Sequence, residues 1–316
     1  MQRIEPPTFD DVRAARARIA GSAIRTPLVR LPVDAPVEIY LKLESLQPIG
    51  SFKLRGATNA IRSLPRGTLA NGVYTASAGN MAQGVAWGAR ELGVPCTVVM
   101  PESAPRTKIE AVERLGAKIV SLPYDEWWRT LADHGRPGIP GTFIHPVANP
   151  AVMAGNGTIG LEIGEDLPDA DAILVPFGGG GLITGIATAA KAARPGVRVY
   201  ACEVSTSTPF TAALAADGPV VVDRTPSFVD GIGGRGVLPE MWPLLRPIVD
   251  GALVAPLEDV AAALRTLVER ARVVAEGAGA TPVACALRRP PEGQRIVCVV
   301  SGGNVDTKTL VDLLSS

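Results

Sequence analysis

A lysine stands in an unusual setting in Gly50-Ser51-Phe52-Lys53-Leu54-Arg55-Gly56. Its immediate neighbours are apolar, and the glycines that bracket the stretch let the backbone turn tightly or approach a ligand closely. Apolar flanks strip water from an ammonium group, and desolvation lowers its pKa. A lowered pKa lets a lysine act near neutral pH as an amine nucleophile or an imine-forming partner. The same string also describes a surface lysine entering a helix. Two further stretches offer complementary chemistry. Ser77-Ala78-Gly79-Asn80-Met81 follows the short run Gly72-Val73-Tyr74-Thr75-Ala76 and leads into a helical pattern. Strand, small-residue turn and helix N-terminus together make an anion site, because free N–H groups and the helix dipole point at the turn. An ordinary loop between strand and helix has the same pattern. Phe177-Gly178-Gly179-Gly180-Gly181-Leu182 follows another apolar run and opens another helix. A run of glycines there lets several N–H groups converge on one phosphate. No Gly-Lys-Ser/Thr follows and the spacing is not G-x-G-x-x-G, so the loop is neither a Walker A loop nor a dinucleotide fingerprint.

Lys42-x-Glu44 followed by Gly50-Ser51-Phe52-Lys53-x-Arg55-Gly56-Ala57 resembles the cofactor-lysine motif of pyridoxal-phosphate enzymes of the tryptophan-synthase-β fold, fold type II. Within that fold the motif is most similar to the serine/threonine dehydratase and serine racemase branch, and further motifs follow in the family's order along nearly the whole chain. The resemblance implies pyridoxal 5′-phosphate as cofactor, carried by Lys53, which also takes the substrate's α-proton. It implies that Gly178, Gly179, Gly180, Gly181 and Leu182 hold the phosphate, with Phe52 and Glu276 beside the cofactor. It gives Ser77, Ala78, Gly79 and Asn80 to the substrate carboxylate, Asn80 also to the cofactor's 3′-oxygen, and Ser301 to the pyridine nitrogen. The segment from Phe228 to Gly233 lines one edge of the ring by the same resemblance. A serine hydroxyl leaves that nitrogen unprotonated, which weakens the electron sink and suits loss of a β-substituent better than transamination.

The implied activity is β-elimination from a β-hydroxy amino acid such as L-threonine or L-serine, giving a 2-oxo acid and ammonia. Hydroxyaspartate or another β-hydroxy amino acid remains an alternative substrate, and a β-replacement synthase of the same fold an alternative class. Gln47-Pro48-Ile49-Gly50 and the tetraglycine favour the dehydratase branch over the synthases. Racemases that resemble this chain carry a hydroxyl where Ala78 stands, and a methyl group cannot move a proton, so little racemase activity is expected. Glu203 falls where relatives hold a cation, but Pro209 replaces the acid of the divalent-binding members. A monovalent cation such as K⁺, or a plain salt bridge, are the two expectations for Glu203. Asn156 and Met81 depart from the family's usual Gln and His.

The elements that must carry these residues alternate. Strands are expected over 38–44, 72–76, 94–100, 117–122, 171–176, 197–204 and 295–300, and helices over 8–20, 54–63, 101–115, 181–193 and 257–271, with a glycine-rich turn opening a helix at 154–163. Such alternation predicts an α/β protein with parallel sheets flanked by helices. Two domains are expected, a small one over 67–148 inserted in a larger one formed by 1–66 and 149–316. In the first helix Val12, Ala15 and Ile19 share a face. The Tyr124–Arg129 aromatics suit packing, and neither His134, which follows Asp133, nor His145 stands in an acid–nucleophile pattern that would make it catalytic.

Lys+Arg and Asp+Glu both number 31, which gives no reason to expect nucleic acid or a membrane surface as partner. No apolar run is long enough for a membrane span, and the N-terminus has no signal core. Four scattered cysteines without a C-x-x-C pair argue against zinc and disulfides and for a cytoplasmic setting. A homodimer is expected, and the chain ends about where the catalytic fold is complete, with no tail for an allosteric domain.

Overall fold

The structure, a computed structural model, describes residues 4–315. In chain order the first elements are α1 (Phe9–Ile19), β1 (Leu28–Arg30), β2 (Glu38–Leu43), α2 (Lys53–Arg62), α3 (Arg66–Leu69), β3 (Val73–Ala76) and α4 (Asn80–Leu92). Next come β4 (Cys96–Pro101), α5 (Arg106–Glu113), β5 (Lys118–Leu122), α6 (Tyr124–Ala132), β6 (Thr142–Phe143), α7 (Pro150–Asp166), β7 (Ala172–Pro176) and α8 (Gly181–Ala193). The last are β8 (Arg198–Val204), α9 (Pro209–Ala216), α10 (Trp242–Leu245), β9 (Gly251–Ala255), α11 (Leu257–Thr266), α12 (Gly277–Arg288), β10 (Arg295–Val300) and α13 (Thr307–Ser315).

The strands form a six-stranded sheet in the order β1-β2-β10-β7-β8-β9 and a four-stranded sheet in the order β5-β4-β3-β6. All pairings are parallel except β1 with β2. Parallel sheets covered on both faces require strands that are apolar throughout, and β7 and β3 are buried at every position. Helices therefore flank both sheets, as the alternating pattern predicts. Among the described residues no helix is long and apolar enough to cross a membrane.

Two local expectations are corrected. The helix expected from Pro101 begins only at Arg106. Pro101 ends β4, and Pro105 immediately precedes the helix, where a residue without an N–H costs nothing. The glycine-rich stretch 154–163 is not a turn but the middle of α7, which starts earlier, at Pro150, under an Asn149 side-chain cap. Its glycines serve helix packing. A Cβ on Gly155 would lie 2.5 Å from the Arg55 carbonyl of α2, and one on Gly160 would lie 2.6 Å from the Ile186 carbonyl of α8. Only bare backbone lets α7 run this close to both neighbours. The first helix behaves as expected: Thr8 caps it in a capping box with Asp11, and Val12, Ala15 and Ile19 are buried.

The hydrophobic cluster beside the four-stranded sheet is shared across the chain. Ala57, Ala60 and Ile61 of α2 and Val152 of α7 join Val73, Val85 and Val98 in it. A Cβ on Gly84 of α4 would lie 2.9 Å from the Lys53 carbonyl, so α4 packs directly against the start of α2. The N-termini of α2 and α4 thereby open into the same space.

Candidate active site

A cavity of about 680 Å³ opens at the carboxyl ends of strands from both sheets, where open α/β sheets characteristically bind ligands. The starts of α2, α4, α8 and α12 all line it, through Phe52 and Lys53, Gly79 and Asn80, Gly180 and Gly181, and Glu276 and Ala278. None of these helices has a side-chain cap, which is also true of α3, α5, α6, α10 and α11; what sets these four apart is that their starts converge on one cavity. Each uncapped start leaves backbone N–H groups and the positive end of a dipole facing the cavity. The result is a concave site for anionic groups, in which backbone N–H groups act beside the Lys53, Lys108, Arg114 and Arg224 cations that also line it.

All the residues expected at the cofactor and substrate lie here together. Phe52, Lys53, Ser77, Ala78, Gly79 and Asn80 line the cavity, and so do Gly178, Gly179, Gly180, Gly181, Leu182, Glu276 and Ser301. Backbone hydrogen bonds bring the distant ones into register. Phe52 N donates to Ser301 O at 2.9 Å, Gly303 N to Gly50 O at 2.9 Å, and Glu276 N to Gly302 O at 2.9 Å. These bonds tie the loop before α2 to the end of β10 and the start of α12. Side chains complete the link: Asn80 Nδ2 donates to Glu276 Oε1 at 2.8 Å, and Asn304 Nδ2 donates to Asn80 Oδ1 at 2.8 Å.

Lys53 is half-buried, and its Nζ donates to the Pro146 carbonyl at 3.1 Å. It stands 5.1 Å from the centre of the Phe52 ring. Burial pulls its pKa down to about 8, with the Glu276 carboxylate pulling the other way. The free amine, scarcely populated near neutral pH at an ordinary lysine pKa, thus becomes a substantial minority there, as an imine-forming lysine requires. Glu276 is pushed up to about 7 by burial first and by Asp230 second, against the Asn80 hydrogen bond and the positive charges of Lys108 and Lys53.

Beneath this surface lies a buried ion network. Arg55 donates to Glu44 at 2.8 Å and to Glu162 at 2.6 Å, and Lys42 Nζ lies 2.6 Å from Glu162. Thr26 Oγ1 and its carbonyl serve the same network at 2.6 Å each, to Glu44 and from Lys42. Burial raises the Glu44 pKa, but the Arg55 guanidinium outweighs it and the net shift is downward. Lys42 and Glu44 therefore anchor the helix that begins with Lys53, through Arg55 two residues on.

Glu203 lies outside the cavity, and in place of the salt bridge, one of the two expectations for it, its carboxylate caps a helix. Its carboxylate accepts from Phe210 N at 2.7 Å, Thr211 N at 2.9 Å and Thr211 Oγ1 at 2.6 Å. Both oxygens thus serve the first turn of α9. The histidines gain partners through folding: His134 Nε2 lies 3.2 Å from Glu240 Oε1, and its ring stacks on His145. Residues that reading the sequence missed include Pro146, which acts through a carbonyl and has no side-chain signature. Asn304 was visible only as the end of Ser301-Gly-Gly-Asn304. Lys108 of α5, paired with Asp230 at 2.6 Å across the cavity mouth, carried no signal in the sequence.

Residues 19–302 match the family described as pyridoxal-phosphate dependent enzyme, and the chain belongs to that family. Its structural neighbours are pyridoxal-phosphate enzymes of fold type II. The chain is 44% identical over 278 residues to an L-threonine ammonia-lyase of Geobacter sulfurreducens, covering 87% of this chain and 69% of that protein. Among solved structures it is similar to maize serine racemase, with a TM-score of 0.89, 33% identity and 98% of each chain covered. It is also similar to the processed form of threonine deaminase isoform 2 from Solanum lycopersicum, with a TM-score of 0.83, 30% identity, and coverage of 100% of this chain and 96% of that one.

The residues present fit the family's cofactor. The glycine loop is a cradle that side chains would fill, since a Cβ on Gly179 would lie 2.6 Å from Val147 Cγ2 and one on Gly181 2.9 Å from the Val147 carbonyl. Gly180 has φ +95°, a left-handed conformation that favours glycine. An uncapped helix start, a cradle without side chains and an amine of lowered pKa share one cavity.

Proposed function

We propose that this protein is a threonine ammonia-lyase that removes the hydroxyl and amino groups of L-threonine, and of L-serine as second substrate, to yield a 2-oxo acid and ammonia. The observation that carries this is the meeting of the Lys53 amine with four uncapped helix starts in one cavity. The cofactor phosphate and the substrate carboxylate are both anionic, and the site answers both with backbone N–H groups.

In this reading Gly178, Gly179, Gly180, Gly181 and Leu182 hold the cofactor phosphate, Lys53 holds its aldehyde carbon, and Phe52 packs beside it. Bound pyridoxal phosphate supplies the electron sink that makes loss of an α-proton feasible. Ser301, which lines the cavity, would offer the cofactor's ring nitrogen a neutral hydroxyl, which would not fix a proton there as a carboxylate would. Ser77, Ala78, Gly79 and Asn80, at the start of α4, hold the substrate carboxylate. The Lys53 amine, with its pKa near 8, accepts the α-proton as general base. Asn80, Glu276 and Asn304 form a chain of hydrogen bonds that keeps the carboxylate loop in line with Lys53. Ala78 offers no group to return a proton from the opposite face, so the reaction runs to elimination and not to racemisation.

We include in the proposal a small domain over 67–148, inserted between 1–66 and 149–316, that closes over the substrate, and a homodimer in the cytoplasm. All four cysteines are free and buried, which suits a reducing compartment. K⁺ is left out, because both Glu203 oxygens are engaged by the start of α9. The test is 2-oxo acid release from a panel of β-hydroxy amino acids, with a sulfide-trapping arm for β-replacement. Threonine is expected to lead the panel. Product that appears only with sulfide present, or activity that survives Lys53→Ala, would overturn the assignment.

A further inference from the structure

His145 is buried, 4% exposed, between β6 and α7, and contributes to none of the steps above. Its Nδ1 accepts two backbone hydrogen bonds, from Val147 N at 3.0 Å and from Ala148 N at 2.7 Å. A nitrogen that accepts two N–H groups carries no proton, so the ring proton sits on Nε2. The arrangement is the one an Asx turn makes with a side-chain oxygen. It closes the chain tightly over residues 145–148.

That turn touches the proposed site twice. The carbonyl of Pro146 receives the hydrogen bond from Lys53 Nζ at 3.1 Å. Val147 is the wall against which the glycine loop lies, with its side chain 2.6 Å from where a Gly179 Cβ would be and its carbonyl 2.9 Å from where a Gly181 Cβ would be. The ring itself is held from the other side. It stacks on His134 with ring centres 4.5 Å apart and meets Phe143 edge-on at 5.9 Å, and His134 reaches Glu240 at 3.2 Å.

Resting on the cofactor assignment above, we infer that His145 is a positioning residue that shapes the turn carrying both the acceptor for the Lys53 amine and the back wall of the phosphate cradle. Burial, with the nearby His134 and Lys53 charges, pushes the ring's pKa down to about 3. It therefore stays neutral throughout the working range and its acceptor lone pair is always available. The same lone pair is spent on backbone, so the His134, His145 and Glu240 group, whose ligating atoms lie within 4.8 Å of one another, does not offer His145 to a metal. Nothing in the sequence marks this role, because it is exercised through a carbonyl and a valine.

Asparagine tests the inference, since its Oδ1 stands as many bonds from Cα as the histidine Nδ1 and caps the same kind of turn. Three proteins are compared in the apo form: wild type, His145→Ala and His145→Asn. The first readout is the pH titration of Lys53 by competitive acetylation, followed on its peptide by mass spectrometry. Wild type is expected to titrate near pH 8. His145→Ala, which lets water reach the amine, is expected to titrate higher by about one unit or more, with His145→Asn close to wild type. The second readout is calorimetric affinity for pyridoxine 5′-phosphate, which lacks the aldehyde and reports the cradle without Lys53 chemistry. His145→Ala is expected to bind at least about tenfold more weakly, a loss of about 1.4 kcal/mol, with His145→Asn restoring most of it. A folded His145→Ala that keeps both wild-type values, or a folded His145→Asn that restores neither, overturns the inference. If His145→Ala does not fold, His145→Gln, one methylene too long for the turn, takes its place. Wild type that fails to bind pyridoxine 5′-phosphate would count against the cofactor assignment, and the Lys53 titration, which needs no cofactor, then decides the role of His145.

Discussion

Lys53 and Glu276 share one cavity with their pKa values moved toward each other, to about 8 and about 7. Burial drives both, since it penalises whichever form is charged. For Glu276 the consequence for stability has a definite sign. An unfolded carboxyl loses its proton near pH ~4.3, while the folded one keeps it to about 7. Between those values the folded state binds the extra proton, so the contribution of Glu276 to stability falls as pH rises through that window and stays low above it. Glu276→Gln removes the penalty and can still accept from Asn80. Its apo form is expected to gain up to about 3 kcal/mol over wild type near pH 8 and almost nothing near pH ~4, as read by urea denaturation. A gain independent of pH would contradict the assignment. The same variant is expected to titrate Lys53 at lower pH, because Glu276 holds that pKa up.

Helix starts and glycines decide how the backbone does the binding. Alanine at two glycines is expected to separate cradle from packing. Gly179→Ala puts a methyl group 2.6 Å from Val147 Cγ2 at the cavity wall, and is expected to weaken cofactor binding at least about tenfold, by about 1.4 kcal/mol, with the melting temperature of the apo protein nearly unchanged. Gly185→Ala lies where α8 meets α7, with its Cβ against the Met153 carbonyl and 2.7 Å from Gly157 N. Backbone cannot yield as a side chain can, so a loss of about 1–3 kcal/mol of stability is expected, with the cofactor affinity of the folded fraction retained. Dialysis equilibrium and thermal melts on both variants check the pair. The buried network under α2 gives a third case. Arg55→Met leaves Glu44 and Glu162 without their guanidinium and is expected to cost about 3–5 kcal/mol, measured by urea denaturation.

Strands of both sheets end at the cavity, and side chains from the two sides meet at its mouth. Lys108 of α5 pairs with Asp230 at 2.6 Å, and Thr107 Oγ1 meets Asp306 at 3.3 Å. The pair is partly exposed, at 30% and 52% of the two side chains, so its worth to stability is about 1 kcal/mol or less. Its place at the mouth gives it more leverage on closure than on folding. Lys108→Ala is expected to leave the melting temperature within about 3 °C of wild type while changing KM for the amino acid several-fold. An unchanged KM would show that this contact takes no part in closing the cleft.

The elements β9, α9, α10 and α13 were not foreseen, and Ser301 could be named only through the family resemblance. Most strands of the two sheets and the Lys53 and Gly178–Gly181 stretches could be named without a structure. Each is a local matter: apolar period, turn chemistry and glycine runs act over a few neighbouring residues. The glycines of α7 were misjudged because a glycine that admits a neighbouring helix and one that admits a turn look alike until the neighbour is known. The partners of Glu203 were hidden for the same reason, since the start of α9 supplies them. The pairing of Asn80 with Glu276, the reach of Lys53 to a carbonyl 93 positions away and the turn closed by His145 depend on contacts across the fold. Sequence order carries no distance between such residues, and only the tertiary packing that brings the carboxyl ends of both sheets to one cavity places them within a hydrogen bond of each other.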